Sequence, residues 1–312
     1  MRILLWHVHG SWTTAFVHGS HDYLIPVQPD RGPDGRCRAQ TWDWPASAIE
    51  VTEEEAAEAE IDLVVLQRPQ ELYGLARRWL GGRRPGSDLT AIYVEHNAPQ
   101  GRIADMRHPA ADREDLTLVH VTHFNDVFWD AGRTPTRVIE HGIVDPGHRY
   151  SGELPHAAVV INEARRRGRV TGTDLLPRLN GQVPIDLFGM DAAALGGVGD
   201  PSQDELHGEM ARRRVYLHPI RWTSLGLSLI EAMQLGMPVV ALATTEAPDA
   251  VPPRAGLVST NVDALAAELR RLVADPEDAR ERGRAARAAA LERYGLDRFL
   301  ADWDTLMEEV AG

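Results

Sequence analysis

Residues 215–243 read VYLHPIRWTSLGLSLIEAMQLGMPVVALA. A strand-like run, Val215–His218, enters a short loop, Pro219–Ser224, and a helical pattern follows from Leu225 to Leu235. Gly236 stands where helices end in the left-handed conformation. Thr223 or Ser224 is placed to cap the helix start, and Pro238 opens the next strand. The helix is apolar almost all round, through Leu225, Leu227, Leu229, Ile230, Ala232, Met233 and Leu235, so it is expected to be buried. Glu231 sits inside it, with Leu227 and Leu235 on the same face. A buried carboxylate needs a partner. It is either paired structurally with an Arg or a backbone N–H, or it accepts two ligand hydroxyls at the mouth of a cleft.

The same alternation of strand and helix extends outward along the chain. Strands are expected at Arg2–Trp6, Tyr23–Val27, Ile61–Leu66, Ala91–Glu95, Leu116–Val121 and Arg137–Glu140. A second series is expected at Ala157–Ile161, Ile185–Phe188, Val215–His218, Pro238–Leu242 and Gly256–Val258. Helical patterns fall at Gln70–Leu80, His123–Trp129, Gly172–Leu179, Leu225–Leu235 and Val262–Val273. Apolar strands separated by helices predict an α/β protein with parallel sheets covered on both faces. Two series predict two Rossmann-like, doubly wound domains. The break falls in the polar, turn-rich DPGHRYSGEL, Asp145–Leu154. The domains are expected at residues 1–147 and 148–295. Residues 296–312 then supply an amphipathic helix with an apolar stripe of Phe299, Leu300, Trp303, Leu306 and Met307. The Arg/Ala-rich segment Glu277–Leu291 reads as a solvated helix.

Composition narrows the function. The 312 residues are 43% hydrophobic and 25% charged, an ordinary globular balance. The net charge of −13 argues against nucleic acid as a principal ligand. The single cysteine, Cys37, excludes an intrachain disulfide and a cysteine-rich zinc site, and fits a reducing cytoplasm. All 33 basic residues are Arg, which excludes Schiff-base chemistry and a phosphate-binding lysine. The N-terminal run is broken by His7 and His9 and does not read as a signal peptide. The least polar stretch, Leu225–Ala243, holds Glu231, Gly236 and Pro238, so no membrane insertion is expected. No G-x-G-x-x-G follows an early strand, which disfavours a dinucleotide oxidoreductase.

Gly226-Leu227, Glu231-Ala232-Met233 and Gly236-Met237-Pro238-Val239-Val240 together resemble the nucleotide-binding core of retaining GT-B glycosyltransferases. That is the large family marked by two glutamates with seven residues between them. The resemblance implies two Rossmann-like domains facing a central cleft, closing over a nucleotide-diphosphate sugar, with the last helix crossing back to the N-terminal domain. It implies that Glu231 holds the ribose hydroxyls. The other glutamate falls on Thr223, a departure at the position that contacts the donor sugar. Ser224, Gly226 and Leu227 belong to the same donor loop. A helix starting there directs its N-terminal N–H groups at the diphosphate.

Elsewhere Met1–Ser11 resembles the family's first strand and glycine loop, with Gly10 beside the donor. Ile92–Asn97 resembles the strand whose terminal histidine, here His96, lies beside the donor sugar. Val121-Thr122-His123 resembles the next strand end, where His123 either faces the acceptor or simply starts a helix. Aligning Thr171-Gly172 with the family's Lys-Gly places Arg165 on its diphosphate arginine, with Arg166, Arg167 or Arg169 replacing the missing lysine charge. Ile185–Gly189 resembles the family's strand that ends in a glycine, here Gly189, next to the base. Trp12, in a Trp-rich N-terminal half with Trp6, Trp42 and Trp44, is either an acceptor-stacking ring or core.

The resemblance implies a glycosyltransferase, of hexosyltransferase class, moving a sugar to a small-molecule or glycan acceptor. No metal or other cofactor is expected, because arginine neutralises the leaving group. The resemblance further implies retention through front-face attack, with the leaving phosphate taking the acceptor proton and His96 orienting the sugar. The alternatives are a non-catalytic sugar-nucleotide binder, given Thr223 and Thr171, and a sugar-nucleotide epimerase.

Overall fold

The computed structural model describes residues 1–311. The chain forms two compact units, one of residues 1–144 joined by the segment from Leu296, the other of Asp145–Gly295.

In the first unit, β1 (Arg2–Leu5), β2 (Asp22–Pro26), β3 (Ala48–Val51), β4 (Leu63–Leu66), β5 (Ala91–Glu95), β6 (Thr117–His120) and β7 (Thr136–Val138) form one sheet. The order is β3-β2-β1-β4-β5-β6-β7, with every pairing parallel. The central strands β4 and β5 are buried along their whole length, which is why they read as unbroken apolar runs. β3 was not expected. Its AIEV exposes Ile49 and Glu50 at a sheet edge, leaving only two buried positions as a signal.

Helices α1 (Gly10–Phe16), α2 (Glu53–Glu58), α3 (Ala76–Trp79) and α4 (His123–Phe128) accompany these strands. The capping box of Thr52 and Glu55 starts α2. The single helix expected over Gln70–Leu80 is instead a π-helical turn, Glu71–Leu75, followed by α3. The break falls at Gly74, whose φ of +158° is non-helical.

The second unit contains β8 (Leu154–Val160), β9 (Ile185–Phe188), β10 (Arg213–His218), β11 (Val239–Leu242) and β12 (Gly256–Ser259) in the order β12-β11-β10-β8-β9, all parallel. Its helices are α5 (Ala164–Arg167), α6 (Leu176–Asn180), α7 (Gln203–Arg212), α8 (Leu227–Leu235), α9 (Ala247–Ala250), α10 (Val262–Ala274) and α11 (Pro276–Tyr294). Val159, Val215, Leu217 and Val240 of the sheet pack with Leu265, Leu269 and Leu272 of α10. The final helix, α12 (Leu296–Ala311), belongs to the first unit. It buries Phe299, Trp303, Leu306 and Met307, and the Trp303 ring lies 5.1 Å from Phe16 and 5.8 Å from Trp12 of α1.

Two expectations about helices change. α8 starts at Leu227, not Leu225, and its N-cap is Gly226 in extended conformation with no side-chain cap, so neither Thr223 nor Ser224 closes it. The Arg/Ala-rich helix is not merely solvated. α11 buries Ala279, Gly283, Ala286 and Ala290 as one face of small residues. A Cβ on Gly283 would lie 2.0 Å from the Gly236 carbonyl oxygen at the end of α8.

Both sheets reverse their strand order once, between β1 and β4 and between β8 and β10. Open α/β sheets hold ligands outside the carboxyl ends of strands at such a point. The relevant loops are therefore those after β1 and β4 in one unit and after β8 and β10 in the other.

The Gly283 contact is backbone against backbone, so no side chain can swing aside. Gly283→Ala is expected to destabilise by about 1–3 kcal/mol, read as a lower urea midpoint at unchanged m-value. An unchanged midpoint would show that α11 shifts freely on α8.

Candidate functional site

In the second unit, β10 delivers His218 to its end and the loop 219–226 leads to α8. Two glycines allow the close packing here. Gly172, at φ +72°, lies where a Cβ would fall 1.9 Å from the Pro219 carbonyl oxygen. Gly226 lies where a Cβ would meet the His218 ring at 2.5 Å. The loop after β8 therefore interlocks with the loop after β10, and the N–H groups of Arg221 and Trp222 both donate to Val170 O, at 2.9 and 3.2 Å. Burial pushes the His218 imidazole down to about 4, so the ring against Gly226 is neutral.

Beyond Gly226 the first turn of α8 has no side-chain cap. Uncapped N–H groups with a helix dipole behind them favour an anion. Glu231, 4% exposed, faces α7, where His207 Nε2 lies 3.6 Å from its carboxylate. Tyr216 runs beneath the same helix and its hydroxyl is 2.9 Å from Ser228 Oγ. Gly189 is held at φ +113°, and a Cβ there would strike Ile161 O at 2.6 Å. It is a backbone requirement of the β9 end.

The arginines after β8 are not equivalent. Arg165 donates to Ala194 O at 3.1 Å. Arg166 is ion-paired with Glu163. Arg169 reaches Asp174 at 3.2 Å, a carboxylate it shares with Arg221. Arg167 is half-buried at the end of α5 and, among the described residues, has no carboxylate in ion-pair range. Thr171 is buried and bonded to Gly168 O and Thr173, so it offers no hydroxyl to solvent.

In the first unit the strand ends gather histidines. His96 follows β5, and its ring lies 4.1 Å from His9 and edge-on to Trp12 at 4.9 Å. Burial, with His9 and His141 nearby, holds His96 well below the usual imidazole range. Burial, together with Arg36 and His7, lowers His9 to about 4. Burial lowers His141 to about 3, helped by His9 and Arg298. All three are neutral imidazoles at pH 7. Below them, Glu95 accepts from His108 Nε2 at 2.9 Å and from the Asn97 N–H at 2.6 Å, fixing the loop that carries His96.

Three expected positions read differently in the structure. Trp12 is fully buried, stacked on Phe16 and edge-on to Phe299 and Trp303, so it is core of this unit and not an acceptor surface. His123 is exposed as the first residue of α4, behind the N-cap Thr122, and stands outside the histidine group. Gly10 begins α1 with ordinary space around it, a Cβ meeting only Trp42 at 3.6 Å. Residues not anticipated are Gln67, Glu95, His108, His141, His207 and Asp174. Gln67 directly follows β4 and Glu95 ends β5. Their strand-end positions were the available signal.

A family model described as "Glycosyl transferases group 1" matches residues 198–289, a segment that includes β10, α8 and Glu231. Solved structures share the fold at low identity. Sucrose-phosphate synthase from Thermosynechococcus elongatus aligns with a TM-score of 0.73 at 14% identity, over 99% of this chain and 98% of that one. HepE from Anabaena, in complex with UDP and glucose, aligns at 0.71 and 14%, over 99% and 100%. A glycosyltransferase from Rickettsia africae aligns at 0.67 and 13%, over 99% and 98%. These likenesses define the fold as GT-B, two doubly wound parallel sheets. No curated protein matches the sequence significantly. Among the described residues, no helix is long and apolar enough to cross a membrane.

The buried histidines set a pH dependence. His9, His120 and His141 have folded values near 4, 4 and 3 against an ordinary 6.5. Below pH 6.5 the unfolded chain takes up protons that the folded chain refuses. Stability is therefore full above that pH and falls as pH drops toward the folded values, by at most about 1.4 kcal/mol per pH unit for each group. His120→Asn should make the loss between pH 6.5 and 4.5 shallower by one group's share in urea titrations. An unchanged slope would mean His120 is already protonated in the fold.

Proposed function

We propose that this protein is a retaining glycosyltransferase that transfers a hexose from a nucleotide-diphosphate sugar to a soluble small-molecule or glycan acceptor. The observation that carries the reading is the α8 start: an uncapped helix N-terminus at the switch point of the second unit, with buried Glu231 one turn further along. An anion at the helix start places a ribose within the class of groups a carboxylate recognises, two adjacent hydroxyls. The match of this segment to a glycosyltransferase family model, and the UDP and glucose held by the Anabaena neighbour, support the donor class and make UDP-glucose the first donor to test.

In this reading the α8 N–H groups and Arg167 take up the charge of the departing diphosphate. Arg167 is preferred to Arg165 and Arg169 because it alone of the three lacks a partner that must first be displaced. Positive charge supplied in this way makes a metal unnecessary, so transfer should persist in EDTA. The leaving phosphate accepts the acceptor proton, and neutral His96 orients a sugar hydroxyl. Thr223, where the resemblance calls for a glutamate, favours a second reading, a binder without turnover. Donor-dependent transfer or slow hydrolysis of UDP-glucose separates the two.

Calorimetry with UDP, GDP, ADP and dTDP should show one preferred nucleotide. Glu231→Ala should weaken it by about 1.5–3 kcal/mol, the scale of a hydrogen bond to a charged group. Arg167→Ala should weaken the diphosphate and leave the nucleoside unaffected. Equal nucleotide affinity in a folded Glu231→Ala protein would sink the assignment.

A further inference from the structure

The connection between β2 and β3, residues 27–47, contains no helix and no strand of the sheet. Connections of that length inside a compact unit are uncommon and mostly functional. This one is tied down. The Gln28 N–H donates to Gly35 O at 2.9 Å and the Cys37 N–H to Pro26 O at 3.1 Å, so the chain folds back with Arg36 opposite Val27. Trp6 Nε1 donates to Asp34 O at 3.1 Å and sets the fold-back beside the end of β1.

Three arginines are spent on holding it. Arg38 donates to Ala48 O and Trp44 O at 2.7 and 2.6 Å, Arg68 holds Asp34 at 3.2 Å, and Arg31 donates to Cys37 Sγ at 3.0 Å. Arg36 is exposed and, among the described residues, has no carboxylate in ion-pair range. Its charge acts on two rings that follow β1, His7 and His9, and no carboxylate is among the groups acting on either. Burial lowers the His7 imidazole, the bond from Nδ1 to Cys37 O at 3.0 Å opposes this, and Arg36 adds to it. The Cys37 carbonyl can only accept, so His7 Nδ1 carries a proton, and Nε2 gains one only when the ring is charged. On the other side Trp42, half-buried, lies over Gly10, and His9 leads on to the His96 ring at 4.1 Å.

A guanidinium beside an imidazole that charges on binding suits a dianion better than a carboxylate. A phosphomonoester carries about −1.5 to −2 at pH 7. In the proposed function the donor diphosphate is met by the α8 start and Arg167, which leaves this second cationic group for another phosphate.

We propose that the fold-back beside β1 is an acceptor subsite in which Arg36 and His7 hold a phosphate group and Trp42 supports the ring that carries it, so that the acceptor is a sugar phosphate. Calling the bound molecule an acceptor rests on the glycosyltransferase reading; the phosphate site itself does not.

Histidine-ring NMR at constant ionic strength reads the site without turnover. Inorganic phosphate and glucose 6-phosphate should each move the His7 and His9 signals saturably and shift the His7 titration upward, whereas glucose should not. Glucuronate, a monoanion, should leave the His7 titration in place. Arg36→Gln changes an exposed side chain and should weaken glucose 6-phosphate about ten- to hundredfold, the scale of a hydrogen bond between charged groups. Its UDP affinity by calorimetry should be unchanged. Trp42→Ala should weaken glucose 6-phosphate more than inorganic phosphate. No saturable movement with either phosphate probe overturns the site. A UDP affinity that falls as far as the glucose 6-phosphate affinity in Arg36→Gln assigns the cluster to the donor diphosphate and overturns the acceptor subsite. Phosphate binding that depends on Arg36, in a protein that binds no nucleotide, upholds the site and overturns instead the glycosyltransferase reading.

Discussion

The contacts on which the second unit depends are places where two backbones come closer than a Cβ allows. The Gly236 carbonyl at the end of α8 is covered by Gly283 of α11. Gly226 at its start lies on the His218 ring, and Gly172 lies on Pro219 O. These approaches leave α8 buried from Leu229 to Leu235 and bring its first turn to the end of the sheet without a cap. A side chain at any of the three positions would push apart elements that the candidate anion site needs together. The low apolar fraction of α11 follows from the same constraint: its buried face is built of Ala and Gly, because a larger residue would lift it off α8.

The first unit is organised differently. Its strand ends converge not on close backbones but on neutral polar rings: His9, His96 and His141, with Glu95 and His108 beneath and Gln67 beside them. An imidazole buried beside other imidazoles is kept uncharged, since each added charge would be unsolvated and repelled. Such a group offers hydrogen bonds of fixed direction without competing for the counter-charge of a phosphate. The first unit thus gathers neutral hydrogen-bonding rings at its strand ends, and the second holds a helix start without a side-chain cap at its switch point.

Arginine is the sole side-chain cation apart from histidine, and most of it is committed. Arg169 and Arg221 share Asp174, Arg166 holds Glu163, and Arg287 holds Asp145. Arg167, next to a switch point, has no carboxylate in ion-pair range among the described residues.

Periodicity in the sequence determined the two doubly wound sheets, because strands covered on both faces must be apolar throughout and helices between them must be striped. It also determined that α8 is buried and that Glu231 inside it requires a partner. Edge strand β3 and helices α1 and α2 escaped this signal, since a short or half-exposed element carries too few buried positions to show a period. Tertiary structure alone decided which of several like residues is in place. Five residues contain four arginines, and only the fold assigns their partners: Ala194 O for Arg165, Glu163 for Arg166, Asp174 for Arg169 and, among the described residues, no carboxylate in ion-pair range for Arg167. Trp12 and His123 had sequence contexts as suggestive as His96, but one is walled in by Phe16, Phe299 and Trp303 and the other stands exposed on α4. The Gln67 side chain that meets His96 Nε2 at 3.0 Å comes from twenty-nine positions earlier. Burial and hydrogen-bond direction are properties of neighbours in space, and local sequence does not encode them.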